Sequence, residues 1–327
     1  FYFDNLTGNY FLLKLFDNIK RNKSLKIIKY NKKIQNRLNI SIKDFKECSQ
    51  TYTSIEIEII PTKNKYGKFI NIEKGDEAYY HIYFNDNMQE IKKYVIDKDD
   101  YISKIKIKID YQIKSFENLF YNCKCIESIN FKKFYRNNIT NMRDMFSCCR
   151  SLKELNLNNF NTDNVEDMSS MFDNCESLKE LNLNNFNTNN VRDMDFMFSG
   201  CSSLKQLNLN NFNTNKVYTM TCMFYQCFSL KELNINNFTT NNVVNMRSMF
   251  NACNSLRELN LNNFDTSNVE DMGYMFFYCS SLKELNLNNF DTSNVYDMRS
   301  MFFECSFDLI MKIKAQYKQF NDTAFED

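Results

Sequence analysis

The chain has 327 residues, of which 43% are hydrophobic and 25% charged, and its 41 basic and 40 acidic side chains leave a net charge of +1. That length holds two globular domains or one small domain and a repeat array, and the composition excludes a disordered or membrane-embedded chain. Near-neutrality removes the usual electrostatic reason to expect nucleic acid or an acidic membrane as partner. The longest apolar runs, such as Tyr10–Leu13, fall far short of the roughly 20 residues a membrane-spanning helix needs. The chain opens at Phe1 rather than at a methionine, which reads as a fragment or a processed product, and its first residues carry no secretion signal.

Taken in chain order, Phe11, Leu12, Leu15, Phe16 and Ile19, then Leu25, Ile27, Ile28, Ile34 and Leu38, predict helices, and residues 1–48 read as a helical segment. The run Leu12-Leu13-x-Leu15-Phe16-x-x-Ile19, followed by Leu25-x-x-Ile28, faintly resembles the start of an F-box, without that motif's proline and tryptophan. That resemblance implies an adaptor recruiting a partner to a ubiquitin ligase; the alternative is a small helical cap or module. From residue 49 to 118 the period changes to two, at Ile55, Ile57 and Ile59, Phe69-Ile70-x-Ile72, Tyr80-x-Ile82-x-Phe84 and Ile105, Ile107 and Ile109. Gly67 and Gly75-Asp76 supply turns. This stretch is expected to be a β-rich cap over the first hydrophobic face of the segment beyond residue 118, giving a small α+β N-terminal region.

From residue 119 onward the chain repeats. Met145-Phe146 with Cys149 recurs every 26 residues as Met171-Phe172 with Cys175, Met197-Phe198 with Cys201, and on through Met301-Phe302 with Cys305. A degenerate copy begins at Leu119-Phe120 with Cys123, so residues 119–306 hold about seven units, and residues 307–327 read as a C-terminal tail. Leu152, Leu155 and Leu157 form an L-x-x-L-x-L pattern whose last two leucines alternate like a strand. Val165, Met168, Met171, Phe172 and Cys175 then recur at three- and four-residue steps, which predicts a short helix. Asn164 with Asp167 resembles a helix N-cap with its reciprocal acid, repeated at Asn190/Asp193, Asn268/Asp271 and Asn294/Asp297. One unit cannot cover its own flat faces, so the units must stack.

L-x-x-L-x-L, the following phenylalanine, then V-x-x-M-x-x-M-F-x-x-C resembles the BspA-like family of leucine-rich repeats, and its 26-residue surface-protein subtype in particular. The resemblance spans about residues 119–306. It implies an α/β leucine-rich-repeat solenoid, a parallel sheet backed by short helices, used for protein binding or adhesion and often displayed on cell surfaces. It carries over no catalytic residues.

The residues themselves point the same way. His81 is the only histidine, no G-x-S-x-G or H-E-x-x-H pattern occurs, and the five glycines form no phosphate-binding loop. No catalytic residue, metal site or cofactor is expected; the remaining alternative to a binding module is an enzyme with its site in residues 1–118. Eight of the twelve cysteines, Cys123 to Cys305, fall once per unit at one position, a column better suited to buried small side chains than to a zinc site or disulfides. Reduced thiols lean toward an intracellular home, whereas the family resemblance points to the surface.

The candidate binding surface is the set of polar positions between the leucines: Lys153, Glu154, Asn156 and Asn158, then Lys179, Glu180, Asn182 and Asn184, and Lys205, Gln206, Asn208 and Asn210. Lys231, Glu232, Asn234 and Asn236 continue it, with Arg257, Glu258, Asn260 and Asn262, and Lys283, Glu284, Asn286 and Asn288. Uniform polar ladders do not make an enzyme pocket, which needs unlike residues converging. They suit a protein, or an extended repetitive surface, as partner.

Overall fold

A computed structural model describes residues 25–26, 28–45 and 52–326. The F-box-like run therefore lies outside the described residues, apart from Leu25 and Ile28. These two pack with Ile34 of helix α1 (Lys32–Arg37) in a cluster of their own, and Asn31 caps α1 by accepting the Ile34 amide at 3.1 Å.

The period-two segments form a five-stranded mixed sheet of β1 (Ile55–Pro61), β3 (Tyr80–Phe84), β5 (Ile105–Ile109), β6 (Ile126–Lys133) and β7 (Glu154–Asn156), ordered β3-β5-β1-β6-β7. The first three pairings are antiparallel, and β6–β7 is parallel. In β1 and β5 the isoleucines alternate inward as their spacing predicts. The Phe69–Ile72 run is not a strand. Phe69 and Ile70 are buried beside a two-residue pairing of β2 (Gly67–Lys68) with β4 (Val95–Ile96). Because β6 joins β1 on one edge and β7 on the other, the β-rich segment and the repeats share one hydrophobic core, running from Ile55 to Ala324.

Beyond β7 successive units stack. A series of parallel bridges steps by 26 residues from Ser115 through Asn141, Asp167, Asp193, Thr219, Asn245 and Asp271 to Asp297. Phe120, Phe146 and each equivalent through Phe302 lie ring over ring, with centroids 5.5–5.7 Å apart and planes within 9°.

The second half of each unit is not the helix that the spacing predicts. Ser170 and Asn174 are left-handed (φ 54° each), as are their equivalents from Asn118 and Asn122 to Ser300 and Glu304. Alternate amides leave the unit: Ser170, Phe172 and Asn174 donate to the carbonyls of Asp195, Met197 and Ser199 in the next one, at 2.7–3.0 Å. The amides between them close turns three residues back, Met171 to Met168 and Cys175 to Phe172. A helix would have kept every bond within the segment. Consecutive turns bury the same face at three- and four-residue steps, so the pattern could not separate the two. The expected N-caps fall with the helices. Asn164 Nδ2 donates to the Asn137 carbonyl of the preceding unit, and Asp167 Oδ1 accepts the amide of Ser169.

The strand side is also less regular than a continuous parallel sheet. Ladder pairing occurs at β6–β7 and between β8 (Gln206–Asn208) and β9 (Glu232–Asn234). Residues 307–326 fold over the last unit: helix α2 (Phe307–Gln316), capped by Ser306, buries Leu309 and Ile313. The carbonyls of Thr323 and Ala324 then accept the amides of Ser300 and Phe302, both at 2.8 Å. No described helix is long and apolar enough to cross a membrane.

Candidate functional site

The candidate binding face consists of the polar positions between the leucines. All of its side chains are exposed except Asn210 and Asn234, which are half-buried. Glu180, Asn182 and Asn184, Gln206 and Asn208, Lys231, Glu232, Asn234 and Asn236, Arg257, Glu258, Asn260 and Asn262, and Glu284 and Asn286 line one open depression. Leu181, Leu207, Leu233 and Leu259 show between them. Lys153, Glu154, Asn156, Asn158, Lys179, Lys205, Asn210 and Lys283 stay outside it, and Asn288 lies against α2, which closes the end of the depression with Lys312 3.7 Å from Glu284.

Hydrogen bonding divides these ladders into two kinds. Asn156, Asn182, Asn208, Asn234, Asn260 and Asn286 each accept the amide two residues on, at 3.0–3.4 Å. Asn260 and Asn286 also donate to Asn236 and Asn262 of the preceding units at 2.8 Å. Their uniformity is therefore structural: each holds the backbone turn that its own unit needs. Among the described residues, Glu180, Gln206, Glu232 and Glu258, and Lys179, Lys205, Lys231, Arg257 and Lys283, use their side chains in no hydrogen bond or ion pair. The first rung differs, with Lys153 held 3.0 Å from Glu127.

Two columns that sequence reasoning underrated bind unit to unit. From Cys149 onward each ladder thiol donates back to a phenylalanine carbonyl of the preceding unit, Cys149 to Phe120 at 3.0 Å and Cys175, Cys201, Cys227 and Cys253 to their equivalents at 3.2 Å. Burial pushes these thiols up, Cys227 to about 12, so they stay protonated donors. Thr162, Thr188, Thr214 and Thr240 each donate to a carbonyl of the next unit and accept the amide of the same residue, as in Thr162 with Asn187 at 2.9 and 2.7 Å. In the first unit Arg136 occupies the threonine position, fully buried, with Nη1 donating to the Asp110 carbonyl at 2.5 Å. His81 sits on β3 between Glu90 (3.0 Å) and Asp110 (3.3 Å).

The turn flank holds a second constellation that the sequence did not single out. Arg247 spans two further units, its Nη1 2.8 Å from Asp297 and 3.4 Å from Asp271, with its guanidinium 4.9 Å from the ring of Tyr274. Arg299 grips Asp297 through two nitrogens, at 3.0 and 2.8 Å, and this pairing holds the Asp297 carboxyl well below the usual range. Four units earlier the same column stacks Asp167 on Asp193. Asp195 stands at the Arg299 position, and the Arg143 guanidinium turns to Asp144 at 3.4 Å. Burial, reinforced by Asp195 and Asp167, raises Asp193 to about 6.

Stacked 26-residue units with an inward L-x-x-L-x-L strand define a leucine-rich-repeat protein of the BspA type, and residues 39–169 match the model described as BspA type Leucine rich repeat region, in six copies. The chain belongs to the family described as Mycoplasma protein of unknown function, DUF285, whose model matches residues 114–233 and 218–314, more than half of its length. No curated protein and no solved structure matches the chain. Leucine-rich-repeat proteins are typically non-catalytic, and the repeat type suggests a protein-interaction or surface module.

Proposed function

We propose that the chain is a non-catalytic binding or adhesion module, a solenoid of 26-residue coils capped by residues 49–118, which holds a partner protein on its strand face. The observation that carries this reading is the contrast between ladders on that face. The inner asparagines, from Asn156 to Asn286, are occupied by their own backbone, whereas between the end rungs, where Lys153 pairs with Glu127 and Glu284 with Lys312, the Lys/Arg and Glu/Gln side chains repeat without any described partner. A surface repeating the same weak contact suits an extended or repetitive partner, with affinity built from several rungs.

The test compares the full chain with its Glu180→Lys/Glu232→Lys/Glu258→Lys variant in a pull-down from the source cell. The variant should lose the partner while melting within a few degrees of the parent, since surface changes cost under about 0.5 kcal/mol each. Retained binding, together with loss on substituting Glu166 or Arg192 of the turn flank, sinks the reading.

A further inference from the structure

The open depression on the strand face crosses five rungs, those of Glu180, Gln206, Glu232, Glu258 and Glu284. Paired strands lie about 4.8 Å apart, and the phenylalanine rings inside the same units stack at 5.5–5.7 Å. Four such steps make the depression about 20 Å long. Across it, from Glu180 to Asn184, an extended segment spans about 13 Å. An α-helix with its side chains is about 10–12 Å wide, so about 14 residues of helix cover this floor.

The period of the rungs selects among backbone conformations. A helix advances about 5.4 Å per turn, so each turn comes over one rung. A β-strand returns a side chain to one face only every 6.7 Å or about that, and is out of step within a few rungs. A polyproline helix, at about 9.3 Å per turn, meets every second rung.

Charge selects the side chains. At both ends of the face the molecule supplies the opposite charge itself: Lys153 lies 3.0 Å from Glu127, and Lys312 lies 3.7 Å from Glu284. Lys312 belongs to a helix, α2, whose Leu309 and Ile313 line a groove beside Leu285 of the last rung. Between these ends Glu180, Glu232 and Glu258, with Lys231 and Arg257 beside them, line the depression and have no such counterpart among the described residues.

We propose that the partner binds through an α-helix laid along the array, one turn per rung. A basic stripe of that helix lies on Glu180, Glu232 and Glu258, and an acidic stripe beside it lies on Lys231 and Arg257. This rests on the strand face being the binding face.

The test uses the full chain and three fluorescent peptides of nearly one composition. The first carries one lysine per turn with a glutamate stripe beside it, the second the same residues shuffled so that no stripe forms, and the third the striped sequence with a central proline. Circular dichroism checks that the first two are helical and the third is not. The striped helix should bind with an affinity that falls as salt rises, and the other two about tenfold more weakly or worse. Glu180→Lys/Glu232→Lys/Glu258→Lys should lose the striped helix to the same degree. Glu232→Lys alone should weaken it, and a peptide with glutamate for its middle lysine should restore binding to that variant. Equal binding of the three peptides, no binding of the striped helix, or binding unchanged in the triple variant overturns the helical partner. If the striped helix fails while the triple variant still loses its cellular partner in the pull-down, the strand face stands and only the helix falls. A cellular partner retained by the triple variant removes both.

Discussion

On the turn flank, alternate amides of each unit donate to the next, a phenylalanine stack runs unbroken from Phe120 to Phe302, and every ladder thiol from Cys149 onward is bonded backward. On the strand flank, ladder pairing among the described residues is confined to β6–β7 and β8–β9, and the Lys/Arg and Glu/Gln side chains between the end rungs make no described bond. The difference teaches where the array gets its cohesion. The turn flank holds unit to unit through geometry that tolerates little change. The strand flank keeps its leucines inward and leaves its surface open to variation.

The sharpest way to break this comparison is to cut the stack. Phe224→Ala, in mid-array, should cost about 3–5 kcal/mol in urea unfolding, and Leu233→Ala on the strand flank less, because Leu233 is already 9% exposed. The reverse ranking would move the cohesion to the strands. Next comes Arg247→Ala, which leaves Asp271 and Asp297 stacked without their bridge. A loss of about 2 kcal/mol is expected at neutral pH, shrinking only in strong acid as the Asp297 carboxylate protonates. Cys227→Ala should cost about 1–2 kcal/mol, from a small cavity and a lost donor, whereas Cys227→Ser retains a donor to the Phe198 carbonyl. If both substitutions melt alike, the thiol bond contributes nothing.

The smallest effect is in pH. Asp193 titrates near 6 when folded, above its ordinary 3.8, so the folded state holds the proton longer. Stability should therefore rise as pH falls from 7 to 5, by about 1 kcal/mol, and Asp193→Asn should remove most of that slope. Asp144 and Asp173, also raised by burial, add in the same direction. Asp297 has the opposite sign: its arginine-held carboxylate stabilises above the ordinary value and loses that contribution only in strong acid. Urea melts at the two pH values measure the slope.

Periodicity made the core legible. Met171, Phe172, Cys175 and the leucines recur at fixed steps, and all but the half-buried Leu155 and Leu181 are inside. The same steps concealed the turns, because the left-handed positions are filled by Ser170, Asn174, Phe196, Gly200 and Tyr274 alike, with no residue type to mark them. The ladder face was legible as exposed. Which of its columns serve the backbone was not, since Asn156 and Glu154 look equally polar in a sequence. The Arg247 bridge joins residues 24 and 50 positions apart, and such a contact exists only once units are stacked.

The way the last unit is closed has a consequence for how such a protein changes its length. Thr323 and Ala324 offer Ser300 and Phe302 the same acceptors that a further unit would, and Phe325 lays its ring on Phe302 at 5.4 Å. The terminal piece therefore reads only the generic edge of a unit and not the identity of the one it covers. Deleting residues 223–248, or copying them in tandem, should leave it seated on the same kind of edge. Unequal recombination between such similar stretches can then lengthen or shorten the array in whole rungs. Each such event alters reach, and the number of times a partner is touched.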